Sequence, residues 1–315
     1  MTARPLLIAF RTSIMIPLLV LVIFYMPLVH AQNFIFEEQE QGWLLKEDGK
    51  PRFFYQTATQ SRDGMYPRSN YIHPLYGLDG EIITEDFPDD HLHHRGIFWA
   101  WHQLCVDGKK IADPWICEGI EWEITKVGSK IISETAVQLT SNILWKETEG
   151  EEREVVEENL MVTYERISPD LYKLTFDITL KPLLSNVMIG GSEDPKGYGG
   201  FSPRIKLSET VGFFDSKGKV RPQELAVSAG SWINITEREE NDPGVVVMGE
   251  PDKLPSYQGW ILRSKNSMQN MAFPGRNPVP LAGTPARHLT FRNQIIVHRG
   301  LENGEIEQHY KEFSK

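Results

Sequence analysis

Short runs in which apolar and polar residues alternate at every second position dominate this chain, and they leave little room for anything but sheets. Leu171-Tyr172-Lys173-Leu174-Thr175-Phe176-Asp177-Ile178-Thr179-Leu180 is the cleanest case, with the two-residue period of a strand. Its two faces separate imperfectly, so both are expected to be partly covered. Residues 122–125 alternate in the same way, and Gly128 reads as the turn after them. Segments 130–145 and 153–167 flank an acidic tip, 147–152, of the kind found at a solvated hairpin end. Shorter strands are expected at 201–207, 212–215, 232–236, 245–248 and 289–297, separated by Lys217-Gly218, Asp242-Pro243-Gly244 and Pro274-Gly275. Upstream, 34–36, 43–45 and 53–55 are apolar runs, and Asp48-Gly49 is a hairpin signal between the last two. A loop follows over 61–74, then a Leu78-Asp79-Gly80 turn and a short strand over 81–84. No long 3.6-residue apolar stripe is present, and the one helix expected lies at 304–313. Many strands in one chain without a low-complexity linker or internal repeat imply a single all-β domain, a large antiparallel β-sandwich with a short C-terminal helix, over residues 32–315.

The first 31 residues read differently. Arg4 and Arg11 precede an apolar run at 14–29, and Val29-His30-Ala31 resembles a cleavage site, so 1–31 is expected to be a secretory signal peptide. The run is short of the roughly 20 residues needed to span a bilayer, and no later segment could cross one. A periplasmic or extracellular protein with no membrane contact after cleavage is therefore expected. The net charge of −10 argues against a nucleic-acid partner, which wants a basic face. Cys105 and Cys117 are the only cysteines. In an oxidising compartment they could pair or remain two buried thiols.

Chemistry is concentrated at Asp89-Asp90-His91-Leu92-His93-His94-Arg95-Gly96, followed by Ile97-Phe98-Trp99-Ala100-Trp101-His102. Four of the nine histidines fall here, a density that packing does not require. His91-x-His93 on a strand would offer two imidazoles to one metal. A double-β-helix metalloenzyme would also want a glutamate three or four residues on, where this chain has Ile97 and Phe98. The adjacent His93-His94 pair suits a turn, with a strand starting at Gly96. In that strand Phe98, Ala100 and His102 share one face, and Ile97, Trp99 and Trp101 the other. Imidazole both takes and gives a proton near neutrality, and exposed tryptophans would give sugar rings a stacking face.

Three further places complete the candidate set. Arg68 and His73 lie in a loop shortly before the histidines, where a guanidinium could fork a carboxylate. The glycine-rich stretch Gly190-Gly191-Ser192-Glu193-Asp194-Pro195-Lys196-Gly197-Tyr198-Gly199-Gly200 runs on to Arg204; its glycines permit close backbone approach to a ligand. Lys196 there is not followed by Ser or Thr, so this is not a nucleotide phosphate loop. His298 ends the last good strand.

The runs Arg68…His73-Pro74-Leu75-Tyr76…Asp79-Gly80, His93-His94-Arg95-Gly96 and Lys196-Gly197-Tyr198-Gly199-Gly200 together resemble the family of secreted bacterial proteins labelled DUF6807, often called the "methane oxygenase PmoA" family. The similarity covers roughly residues 34–312, and the paired histidine followed by a basic residue and glycine is its most specific mark. The methane monooxygenase subunit that the label echoes is an integral membrane protein with several spanning helices, so its chemistry is not expected here. The resemblance implies instead a β-sandwich of the galactose-mutarotase-like supersandwich kind and a link to carbohydrate utilisation. It carries no catalytic assignment.

These readings converge on a carbohydrate-active protein, an enzyme acting on a sugar or uronide by proton transfer, as an epimerase, mutarotase or lyase with a hydrolase behind them. His93 and His94 are the expected acid, base or orienting groups, with Tyr198 or Lys196 as the opposite proton partner. Arg68, Arg95 and Arg204, with His73, His102 and His298, are expected to bind substrate, and Trp99 or Trp101 to stack on it. Asp89, Asp90 or Glu193 would serve a two-carboxylate glycosidase. No cofactor is expected. The alternatives are a non-catalytic glycan-binding module and a metalloenzyme using His91 and His93 with His298 or His102.

Overall fold

A computed structural model describes residues 33–265, 268–281 and 288–315; the expected signal peptide lies outside them. Two antiparallel sheets carry the fold. The first has six strands, in the order Phe34–Gln39, Gly42–Glu47, Lys50–Gln56, Tyr71–Leu75, Ile97–Ala100 and Gly200–Pro203. The second has nine, in the order Ile120–Ile131, Ala136–Glu147, Glu154–Ser168, Leu171–Pro182, Leu289–His298, Gly244–Gly249, Trp232–Thr236, Gly212–Asp215 and Gly218–Lys219. A smaller sheet joins Val187–Gly190 to Gln103–Val106 and its neighbours. The protein is therefore all-β and sandwich-like. Among the described residues no helix is long and apolar enough to cross a membrane.

Local sequence explains much of this. Asp48-Gly49, Asp63-Gly64 and Asp107-Gly108 each join two consecutive strands, and both residues of each pair have positive φ. That is the backbone of a type I′ hairpin, which aspartate and glycine tolerate best. The second of these corrects the expected loop at 61–74: Gln60–Arg62 pairs with Met65–Arg68, and Tyr71–Leu75 is a strand of the six-stranded sheet. Gly128 is not a turn. It sits inside Ile120–Ile131 opposite Thr140, and the chain reverses after Ile131 instead. Segment 81–84 forms only isolated bridges, Ile82 to Tyr76 and Thr84 to Ile205. The helix Asn303–Phe313 starts at a capping box between Glu302 and Glu305. It lays Ile306 and Phe313 on Trp232, Val246 and Ile296, on the outer face of the nine-stranded sheet.

The two large sheets bury a common core in which Phe53, Tyr55, Ile97, Trp99 and Trp101 meet Leu139, Trp145, Val162, Tyr164 and Phe176. Ile97, Trp99 and Trp101 do share a face, as their alternation requires. Phe98 and Ala100 point the other way, into a separate cluster with Tyr71, Trp115, Ile261 and Met268. This second cluster is the floor on which the histidines sit. Cys105 and Cys117 are buried free thiols, not a disulfide.

A buried acid without a strong cation on it lies between the sheets. Glu158 is fully buried and accepts N–H bonds from Trp99 (2.8 Å), Asn70 (2.9 Å) and Trp145 (2.7 Å). Burial pushes its carboxyl up to about 7, against those three donors and the Arg68 charge, which favour the anion. The folded chain thus holds a proton that the unfolded chain releases near pH 4.5. This contribution to stability is complete below that pH and is lost as pH rises through about 7, on the order of 3 kcal/mol. Glutamine cannot ionise, so Glu158→Gln should gain on the wild type by that amount between pH 5 and 8, whatever constant cost its amide adds. Urea titrations of both proteins at the two pH values measure it. A pH-independent difference between them would contradict the assignment.

Candidate functional site

The histidine loop is shaped by two consecutive turns, in which the His91 N–H donates to Pro88 O and the His94 N–H to His91 O. Gly96 then admits the chain to the sheet. A Cβ there would collide with Ile72 O and the His73 side chain, so only glycine allows this strand to lie so close to Tyr71–Leu75. The glycine-rich loop is tightly organised as well. The Ser192 hydroxyl donates to Asp194 Oδ1 (2.7 Å), which also accepts from the Lys196 N–H (2.9 Å), and Ser192 Oγ accepts from the Tyr198 N–H (3.1 Å). Gly197 takes a positive φ of 58° in this knot. Together the two loops line a cavity of about 160 Å³ with His91, His93, His94, Lys196, Tyr198, Ile261, Arg263 and Met268.

The imidazoles do not play equal parts. Arg204 donates from Nη1 to His94 Nδ1 (3.2 Å). A guanidinium never accepts, so His94 carries its hydrogen on Nε2 and works as a fixed donor. Burial, then His93, His91 and Arg204, push His94 down to about 2, so it stays neutral. Asp90 sits on Arg204 through both oxygens (2.7 and 3.0 Å) and accepts from His91 Nδ1 (2.7 Å). Burial opposes its ionisation, but these bonds hold its carboxyl down at about 2. The His91 ring lies flat on His94 at 4.6 Å. His93 stands edge-on to His94 at 4.6 Å and tilted to Tyr66 at 5.7 Å. Burial, then His91, His102 and Arg68, push His93 down to about 4, with Asp113 acting the other way. No hydrogen bond within the described chain occupies its ring nitrogens, so it is the imidazole free to exchange a proton with a ligand.

Tyr198 lines the same cavity from the other loop. Burial, then Asp194 and Asp113, raise its phenol, which keeps it protonated at neutral pH. Behind it lies His102, edge-on at 5.2 Å and stacked on Trp115 at 5.4 Å. His102 Nδ1 pairs with Asp113 Oδ2 at 3.0 Å. Burial disfavours the Asp113 anion, yet His102 and Lys110 hold its carboxyl low, so His102 Nδ1 is the donor; its Nε2 is buried without a partner.

Several residues expected to touch substrate instead build the site from beneath. Trp99 and Trp101 are buried, with their indole N–H groups on Glu158 and Phe273 O; neither shows a face for stacking. Arg68 is sealed under the loop, its guanidinium over Trp122 and Phe98, and it donates to Pro114 O. Arg95 is held by Asp86 and lies against Phe87 and Tyr71. Arg204 is spent on Glu85 and Asp90. Each guanidinium found its carboxylate or aromatic partner inside the chain. His73 bonds Thr84 at 3.0 Å. Of the carboxylates, Asp89 is exposed beside Arg62 and Glu193 is exposed beside Lys110, and neither they nor Asp90 line the cavity.

His298 lies elsewhere, in a roomier cavity of about 260 Å³ lined mainly by Leu78, Ile205, Val211, Ile235 and Val297. No residue lines both cavities, so a metal set of His91, His93 and His298 is not assembled. Among the described residues no three His, Cys, Asp or Glu side chains are grouped to hold a metal ion. Ile261, Arg263 and Met268 are the lining residues that sequence reading missed; Arg263, the charged one, belongs to no motif and reaches the cavity only through the tertiary fold. Asp113 was missed too, although its step ahead of Pro114-Trp115 close after His102 was a usable signal.

A family model described as "Family of unknown function (DUF6807)" matches residues 43–311. No curated protein matches the chain.

Proposed function

The chain belongs to the DUF6807 family, and from that premise and the geometry of the cavity we propose that it is a carbohydrate-active enzyme of the periplasm or exterior, acting on a sugar or uronide by proton transfer. The observation that carries this reading is the meeting of a free imidazole and a free phenol from two separate loops around one cavity. His93, unprotonated at neutral pH, takes a proton from a substrate C–H or O–H; Tyr198, protonated, gives one from its own side. The His94 Nε2–H orients a substrate oxygen, and Lys196 stands beside Tyr198 as a charge. Proton transfer from two positioned groups is the chemistry of epimerases, mutarotases and lyases. Without a carboxylate in the lining, two-carboxylate hydrolysis falls behind these. No cofactor enters this scheme, and the net charge of −10 disfavours a nucleic-acid partner. Residues 1–31 are the expected export signal.

The second reading is a glycan-binding module. Incubating the wild type and the His93→Ala/His94→Ala double variant with a panel of neutral and uronic oligosaccharides, with products followed by mass spectrometry, separates the two. Turnover in the wild type and none in the variant is the expected result. If the variant turns over equally, or the wild type binds without processing and the variant merely binds more weakly, the proton-transfer reading is wrong.

A further inference from the structure

We infer, resting on the carbohydrate reading above, that the ligand of this cavity is a uronide whose carboxylate is held between Lys196 and Arg263. The lining contains two permanent cations and no carboxylate, in a chain of net charge −10. Of the other arginines near the site, Arg95 is matched to Asp86 and Arg204 to Glu85 and Asp90, while Arg68 is sealed on Pro114 O, Phe98 and Trp122. Arg263 has no acidic partner among the described residues. Its guanidinium is nonetheless fixed, with Nη1 donating to Gln223 O (2.7 Å) and Leu262 O (2.9 Å) and Nη2 to Glu224 O (2.8 Å). Those three bonds leave the Nε–H and one Nη2–H. These are the two parallel donors of the side-on fork that a planar carboxylate fits. The Lys196 ammonium has only Asp194 Oδ2, at a long 3.9 Å, while Oδ1 of that carboxylate is held by Ser192 and the Lys196 backbone N–H.

The position of the pair adds to the case. Lys196 and Arg263 also line a second depression of about 400 Å³ with Pro222, Gln223, Glu224, Leu262, Ser264 and Lys265, where Lys265 offsets the one acid. The two cations therefore form a ridge between two hollows. A sugar chain crossing the ridge sets one ring against His93 and Tyr198, the next in the second hollow, and a ring carboxylate on the cations between them.

Calorimetric titrations with trigalacturonate and trimannuronate, the neutral galacto- and manno-trisaccharides, and a sulfated galactan oligomer test this. One uronide should bind about ten-fold or more tighter than its neutral counterpart and lose affinity as salt rises. Lys196→Ala and Arg263→Lys should each weaken uronide binding by roughly 5- to 20-fold and weaken binding of the neutral counterpart much less, so that the uronide preference shrinks; the lysine keeps the charge and loses the fork. A cooperative thermal transition well above the assay temperature confirms that each variant is folded. Neutral sugars binding as well as uronides, variants that bind uronide normally, or preference for the sulfated oligomer each overturn the carboxylate assignment while the carbohydrate reading stands. If no sugar of any kind binds or is processed, the carbohydrate reading itself falls.

Discussion

Arg204→Ala is expected to lower the melting temperature by roughly 3–7 °C and to take the histidine loop with it. The arginine is almost fully buried, and its three nitrogens serve Glu85, both oxygens of Asp90 and His94 Nδ1. Removing one side of such a cluster leaves carboxylates without their counter-charge, which costs about 3–5 kcal/mol when all parties are buried. Glu85 and Asp90 keep partial contact with water (35% and 24% side-chain exposure), so about 2–4 kcal/mol is the better expectation after solvent screening. The local consequence is larger than the global one. His94 loses the donor that fixes its tautomer, and Asp90 loses its grip on the strand Gly200–Pro203 and the residue that follows it. Arg204→Lys should recover part of the melting temperature but not the tautomer, because an ammonium cannot serve three acceptors in a plane. Long-range 15N spectra of the imidazoles report the result directly: His94 should show a hydrogen on Nε2 alone in the wild type and a mixture in both variants. An unchanged melt together with an unchanged His94 tautomer would show that the loop is held by something else.

That dependence also explains what could and could not be read from the sequence. The strands were legible because alternation is a local property: Glu154–Ser168 and Leu171–Pro182 bury every second residue over most of their length. The histidine loop and the glycine-rich loop were legible because titratable groups and glycines cluster there beyond the needs of packing. Orientation was not legible. Whether Arg68, Arg95 or Arg204 faces a ligand depends on which acid or ring the fold brings to it, and for Arg204 the two acids lie in a separate segment, at Glu85 and Asp90. The same holds for Trp99 and Trp101. Aromatic residues beside a site suggest a stacking surface; alternation puts them on one face and Phe98 and Ala100 on the other, but both faces are apolar and both are buried, so only the fold shows which of them meets the second sheet. Glu158, by contrast, was available. It falls in step with Leu160, Val162 and Tyr164, all core residues, and a charge in that register marks a buried network. Asp63-Gly64 carried the same hairpin signal as Asp48-Gly49 and was passed over because prolines and arginines nearby suggested a loop. Arg263 left no local trace at all.

The free imidazole should govern the acid side of the pH profile. His93→Ala and Tyr198→Phe are each expected to lower kcat/KM on a uronide by about 10²- to 10⁴-fold, the usual worth of a positioned base or acid. Both should stay folded, since no hydrogen bond in the described chain depends on either side-chain heteroatom. A base must be unprotonated, and in the free protein burial, His91, His102 and Arg68 hold His93 at about 4. The kcat/KM profile reports the free protein, so it should rise with pH through about 4 and stay level across neutrality. Tyr198 is raised above its ordinary range, so the alkaline fall should begin only beyond that range. Once a carboxylate rests on Lys196 and Arg263, a negative charge stands near His93 and favours its imidazolium. The acid limb of kcat, which reports the complex, should therefore lie at higher pH than that of kcat/KM. Lys196→Ala leaves the bound carboxylate less neutralised, which moves the kcat limb further up while it weakens binding. A histidine acting in water would instead place both limbs near 6.5, and that outcome, or full activity in His93→Ala, would remove His93 from the proton transfer and leave the cavity as a binding site alone.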